Sequence, residues 1–260
     1  MHERVENDRL SGVLTDRLAE VAEAASALIL PFWRNGVAAM TKADASPVTE
    51  ADQQAEALIL SMLQDVYPEV PAVAEEMSAA DGLPDQAPDR FWLIDPLDGT
   101  KGFIAGKEHF TVNIALIDHG QVVAGVVAAP ALSMTWTGVA GQGARRRRFG
   151  QGWQTIQVRP ASEPAHALLS HSMKDQAAYD LARAHGCADW TGMDSSIKFC
   201  LIAQGDYDSY PRTGPTHEWD TAAGQAVLQA AGGQVLGPDG RTLGYGKPRF
   251  LNGPFVARGG

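Results

Sequence analysis

The run Phe91-Trp92-Leu93-Ile94 passes directly into Asp95-Pro96-Leu97-Asp98-Gly99-Thr100, so an apolar strand ends abruptly in two carboxylates, a proline, a glycine and a hydroxyl. Pro96 fixes one φ angle and removes a donor, and Gly99 permits a close approach that a side chain would block. The amides of Gly99 and Thr100 are then free to face an anion. A second strand-like run, Val70 to Ala74, also ends in acids, Glu75 and Glu76. A third acid, Asp220, stands in Pro215-Thr216-His217-Glu218-Trp219-Asp220, just before the small-residue stretch Thr221-Ala222-Ala223-Gly224. Thr216 is read as the N-cap of that helix, with Asp220 in its first turn. Carboxylates brought this close repel by roughly 4 kcal/mol at about 4 Å and an effective dielectric of about 20. A cluster of them therefore calls for cations. Hard divalent ions such as Mg²⁺ take oxygen ligands, and paired ions suit phosphoryl chemistry, one activating water and the other stabilising the leaving oxygen.

Elements able to present these acids can be read from periodicity. Leu14, Leu18, Val21, Ala25 and Leu28 recur at helical spacing, and a second helix is expected from Thr49 through Ala55, Leu58, Ile59 and Leu63. Strands are expected at 72–74, 91–94, 111–117 and 122–127, the last two joined as a hairpin by Asp118-His119-Gly120. This describes an α+β or mixed α/β half, residues 1–158, with an antiparallel sheet and most of the candidate ligands. From 159 to 260, strands at 167–169 and 255–257 alternate with helices near Lys174 to His185, Ser196 to Gln204 and Glu218 to Ala231. A second α/β half, supplying Asp220 and substrate contacts to one compact unit, is the expectation, with Arg159 to Glu163 as the join.

Composition narrows the partners. With 260 residues, of which 45% are hydrophobic, the chain can bury a full core, and a net charge of −10 disfavours binding to nucleic-acid polymers. Cys187 and Cys200 match neither a disulfide framework nor a zinc pattern, and are read as buried thiols in a reducing compartment. Of the histidines only His217 lies near a candidate acid, and it is read as a surface or supporting residue. The longest apolar stretch, Ala27 to Trp33, is interrupted by Pro31 and too short to span a bilayer, so a cytoplasmic protein is expected. Arg145 to Arg148 are read as a solvated hairpin or loop. Contact of that run with phosphate or lipid, at the cytoplasmic face of the inner membrane, is left open. So is the oligomeric state.

Taken in order, Val48-Thr49-Glu50-Ala51-Asp52, Glu75-Glu76, Asp95 to Thr100 and Trp219-Asp220 resemble the motifs of the inositol monophosphatase-like, lithium-sensitive, metal-dependent phosphatases, over nearly the whole chain. The segments Asp95 to Ile104, Glu108 to Ile117, Ser195 to Cys200 and Tyr210 to Thr216 are most similar to the 3'(2'),5'-bisphosphate nucleotidases of CysQ type within that family. The resemblance implies a layered αβαβα sandwich of the inositol monophosphatase and fructose-1,6-bisphosphatase type. It implies Mg²⁺-dependent hydrolysis of a phosphate monoester, foremost the 3'-phosphate of 3'-phosphoadenosine 5'-phosphate, a step in sulfur assimilation yielding AMP. Inositol and histidinol phosphates are the alternatives. By the same resemblance Glu75, Asp95 and the Leu97 carbonyl hold one metal, Asp95, Asp98 and Asp220 another, and a third, weaker ion lies near Glu75. Thr100 and Asp52 activate water, with Glu76 in support. Glu75, Leu97, Asp98, Gly99, Thr100, Asp220, Lys198 and Arg212 contact the phosphorylated nucleotide.

Two rival readings remain at this level. A haloacid-dehalogenase-type phosphatase also carries Asp-Gly-Thr but needs Asp-x-Asp, whereas Asp95 and Asp98 are separated by two residues, one a proline. A regulatory or binding protein that keeps a phosphatase fold would not need the full acid set.

Overall fold

A computed structural model describes residues 3–42, 47–171 and 176–260. Helices α1 (Glu3–Ser11), α2 (Val13–Asn35) and α3 (Glu50–Val66) open the chain, with the antiparallel pair β1 (Ala39–Thr41) and β2 (Pro47–Thr49) between the last two. Strand β3 (Ala72–Ala74) runs into α4 (Glu75–Asp81), and β4 (Arg90–Asp98) into α5 (Thr100–Ile104). Next come β5 (Thr111–Asp118), β6 (Gln121–Ala129), β7 (Met134–Val139), β8 (Gly143–Arg148) and β9 (Gln154–Ile156). Together β3 to β9 form a seven-stranded sheet in sequence order. The expected antiparallel sheet needs one correction. Because α4 and its following loop carry the chain back across the sheet, β3 and β4 are parallel.

The remaining elements are β10 (Ala165–Leu169), α6 (Gln176–Ala184), β11 (Cys187–Gly192), α7 (Ile197–Ala203), β12 (Ser209–Arg212), β13 (Thr216–His217), α8 (Ala222–Ala230), β14 (Gln234–Leu236), β15 (Leu251–Asn252) and β16 (Phe255–Arg258). Five of them make a mixed sheet in the order β11-β10-β12-β16-β14. Lys174, where a helix was expected to begin, lies outside the described residues.

Strand periodicity explains the layers. On β4, Phe91 and Leu93 face a core shared with α7, α8 and the five-stranded sheet, while Trp92 and Ile94 face a core built with α2 and α3. Ala115 and Ile117 against Ile114 and Leu116 repeat the alternation on β5. Both faces of the large sheet are therefore buried, which is why its strands read as unbroken apolar runs. A smaller cluster, with Ala182 of α6 against Ala165, Ala167 and Cys187, closes the outer layer. The order is helices, sheet, helices, sheet, helix, the expected αβαβα sandwich. Helix α8 lies close on β7 because a Cβ at Gly138 would stand 2.6 Å from the Ala226 carbonyl oxygen.

The hairpin turn falls where expected, with His119 and Gly120 at φ 48° and 75° between β5 and β6. Of the two forms expected for the arginine run, hairpin or loop, it takes the hairpin: it is β8, paired antiparallel with β7 and then with β9, and only its solvation departs from expectation. Alternation puts Arg145 and Arg147 on one face, 4.6 and 4.4 Å from the Trp153 ring centre, where they pair with Asp16 and Glu23 of α2. The charges of those two arginines are thus used inside the fold. Among the described residues no helix is long and apolar enough to cross a membrane.

Candidate active site

Four segments from distant parts of the sequence bring acids to one place. Residues β3 and β4 pair in parallel, Ala74 opposite Ile94, so Glu75 and Asp95 leave neighbouring strands side by side. On β4 a regular strand would turn residues 95 and 98 to opposite faces. Pro96 has no N–H for the ladder, and the register slips: Asp95 pairs with Asn113, but Asp98 with Thr111. This bulge, with the Leu97 N–H donating to Asp95 Oδ1 at 3.0 Å, turns both acids to the same cluster. The Ser196 N–H at the start of α7 donates to Asp98 Oδ2 at 2.6 Å, and the Ser196 hydroxyl donates to Asn113 Oδ1 at 2.6 Å.

Asp220 arrives from the loop between β13 and α8. Here the sequence expectation is corrected. Thr216 is not an N-cap, because it is held in β13 opposite Asn252, and α8 starts only at Ala222. Asp220 precedes the helix, and its Oδ2 accepts the His217 N–H at 2.9 Å. The His217 ring stacks on Trp219 at 4.4 Å.

Carboxylate oxygens of Asp95, Asp98 and Asp220 all lie within 4.8 Å of one another. Burial and mutual repulsion push Asp95 and Asp220 well above the usual carboxylate range, and burial lifts Asp98 to about 6. Glu75 adds its charge to that repulsion, but its Oε1 is 2.6 Å from Lys42 Nζ. The same ammonium reaches Glu76 Oε1 at 2.6 Å. Burial would lower Lys42, yet Glu75 and Glu76 outweigh it and hold the ammonium charged. Burial together with the Glu75 charge nonetheless lifts Glu76 to about 7 despite Lys42. Sequence reasoning missed Lys42; its only signal is a position a few residues before Thr49 and Asp52.

Beside the acids, Thr100 Oγ1 stands 3.2 Å from Asp52 Oδ1 and 3.1 Å from the Leu97 carbonyl oxygen. Asp52 is buried on the first turn of α3, where its Oδ2 accepts from the Thr49 N–H and hydroxyl at 2.8 and 2.6 Å, a capping box. Burial raises its proton affinity. Gly99 has φ 97°, and a Cβ there would meet the His109 carbonyl oxygen at 3.1 Å.

A cavity of about 640 Å³ opens onto Glu75, Asp98, Thr100 and Asp220, and Lys198 and Arg212 line it too. Lys198 is 3% exposed, donates to the Ser195 carbonyl oxygen at 2.5 Å and lies 4.6 Å over the Tyr210 ring. Burial brings its ammonium down to about 8. Arg212 donates to the Gly214 and Pro215 carbonyl oxygens, both at 3.3 Å.

A model of the inositol monophosphatase family matches residues 13–258. The chain belongs to the inositol monophosphatase family. This family member is 41% identical over 247 residues to the 3'(2'),5'-bisphosphate nucleotidase CysQ of Escherichia coli K12, covering 93% of this chain and 98% of that one. Its Salmonella typhimurium counterpart is 44% identical over 216 residues, 82% of this chain and 86% of the other. Among solved structures, CysQ from Bacteroides thetaiotaomicron superposes with a TM-score of 0.77 at 31% identity, covering 94% of this chain and 96% of that one. The inositol monophosphatase from Anabaena does so at 0.74 and 26%, covering 96% and 91%. Members of the family are metal-dependent phosphatases. The all-oxygen donor set of three crowded acids with elevated proton affinity fits a hard cation.

Proposed function

We propose that this chain is a Mg²⁺-dependent 3'(2'),5'-bisphosphate nucleotidase that hydrolyses the 3'-phosphate of 3'-phosphoadenosine 5'-phosphate to AMP and phosphate. The observation that carries the reading is the cavity, which joins the acids to two cations, Lys198 and Arg212, set for a second phosphate. The 41% likeness to a curated CysQ over 93% of the chain supports the same substrate.

Glu75, Asp95, Asp98, Asp220 and the Leu97 carbonyl would hold two ions, Asp95 between them, with a third, weaker one near Glu75. When bound, Mg²⁺ supplies acidity to a water and neutralises charge on the phosphoryl oxygens. The protein handles the proton. Thr100 Oγ1 accepts it from the attacking water and passes its own to Asp52 Oδ1 at 3.2 Å, the one oxygen that Thr49 leaves open. Burial suits Asp52 to take that proton. Glu76 supports this wall of the site, and the Gly99 and Thr100 amides face the phosphate. Attack is in line and leaves no phosphate on the enzyme. Residues 1–158 and 159–260 work as one unit, since Asp220 and Lys198 come from the second half and the other acids from the first. Two free, buried cysteines support a reducing setting such as the cytoplasm.

The test is phosphate release from 3'-phosphoadenosine 5'-phosphate, inositol 1-phosphate and histidinol phosphate, with Mg²⁺ and with or without Li⁺. The bisphosphate nucleotide should be turned over fastest and Li⁺ should inhibit. Faster turnover of either other substrate overturns the subtype.

A further inference from the structure

Glu56 has no part in the chemistry above, yet it is a carboxylate only 4% exposed on the helix that carries Asp52. Its Oε2 accepts the Glu76 N–H at 2.8 Å and its Oε1 the Met77 N–H at 2.7 Å. Those are first-turn amides of α4, whose own N-cap, Ala74, offers no side-chain acceptor. Helix α4 buries none of its residues fully, and Met77 packs half-buried against the core, so the helix is held by little apolar contact. It nevertheless carries both Glu75 and Glu76. One turn separates Asp52 from Glu56 on α3, so the two side chains project from the same face.

We infer that Glu56 is a positioning residue that bolts α4 to α3 and thereby sets the distance between the Glu75–Glu76 pair and Asp52, as the metal site proposed above requires. A glutamine there keeps one acceptor and turns an NH₂ group toward the other amide. That amide is left unpaired, and α4 is free to shift against the site. Partners that orient metal ligands from behind typically change metal affinity or activity by about 10–100-fold when lost.

The experiment compares Mg²⁺ binding by calorimetry in wild type, Glu56→Gln and Tyr67→Phe, alongside thermal melts in EDTA. Tyr67→Phe removes a 2.8 Å bond to Asp8 at the far end of the same helix and serves as the purely structural control. Glu56→Gln should weaken Mg²⁺ binding about tenfold or more and raise the Mg²⁺ concentration for half-maximal activity by the same factor. KM for the nucleotide at saturating Mg²⁺ should stay within about twofold. Tyr67→Phe should lower the melting temperature and leave Mg²⁺ affinity unchanged. Equal Mg²⁺ affinity in Glu56→Gln and wild type, whatever the melting temperature, overturns the inference. Should Glu56→Gln be insoluble, Glu56→Asp, which keeps the charge and shortens the reach by a methylene, carries the same readout. A wild type that binds Mg²⁺ but hydrolyses no bisphosphate nucleotide defeats the proposed substrate, while the comparison of affinities still decides the role of Glu56.

Discussion

Replacing Asp95 by Asn should make the metal-free protein more stable while removing its activity. Oxygens of Asp95, Asp98 and Asp220 fall within 4.8 Å of one another. At that separation two full charges repel by about 3.5 kcal/mol at an effective dielectric of about 20. Asp95 takes part in two such pairs, and Glu75 adds a third repulsion. Part of this is already relieved, because the acids take up protons more readily than usual, and an amide oxygen can still accept the Leu97 N–H at 3.0 Å. A net gain of about 1–3 kcal/mol at pH 8 is expected, or about 2–10 °C in melting temperature for a chain of this size. With excess Mg²⁺ the order should reverse: wild type gains stability by binding, and Asp95→Asn does not. Differential scanning calorimetry in EDTA and in excess Mg²⁺ reads both signs. A variant no more stable than wild type in EDTA would refute the electrostatic argument, and an intact Mg²⁺ response would refute the ligand assignment.

Three further outcomes follow from the same geometry. Asp98, lifted to about 6, and Glu76, lifted to about 7, keep protons in the folded chain that the unfolded chain has lost, so each makes metal-free stability fall as pH rises from 5 to 7. His109, held below the histidine range by burial, acts oppositely. The check is therefore the slope of melting temperature against pH in EDTA, which should be less negative in Asp98→Asn than in wild type. Lys42→Met leaves Glu75 and Glu76 without their shared cation, and should cost about 1–3 kcal/mol in EDTA, partly restored by Mg²⁺; equal melts would contradict this. Lys198→Met should raise KM for 3'-phosphoadenosine 5'-phosphate about tenfold and affect 3'-AMP, which lacks the second phosphate, much less. An equal effect on both would show that Lys198 does not meet that phosphate.

What the sequence disclosed and what it hid divide along local and non-local lines. Asp95 to Thr100 could be read as chemistry because strand, proline, acids and glycine are contiguous. The alternation of β4 and β5 was equally plain, since each strand carries its own apolar period. Thr216 was misread because its capping chemistry is local, whereas its real partner, Asn252, lies far along the chain and pulls it into a strand. The arginine run was legible as a hairpin but not in its contacts, since nothing local announces its pairing with Asp16 and Glu23. Lys42 and Glu56 look like ordinary surface charges until folding sets one on Glu75 and the other on the amides of α4. A carboxylate one turn after Asp52, next to the apolar positions Ala55 and Ile59, was the only hint of Glu56.

The central claim, direct hydrolysis of a nucleotide 3'-phosphate, is tested most directly by following 3'-phosphoadenosine 5'-phosphate with wild-type enzyme and Mg²⁺ in oxygen-18 water by phosphorus NMR. Loss of the 3' resonance, retention of the 5' resonance and one solvent oxygen in the released phosphate are expected, with no phosphoryl group on any aspartate of acid-quenched enzyme by mass spectrometry. Loss of the 5'-phosphate, or a phosphoryl group trapped on Asp95 or Asp98, would contradict the claim.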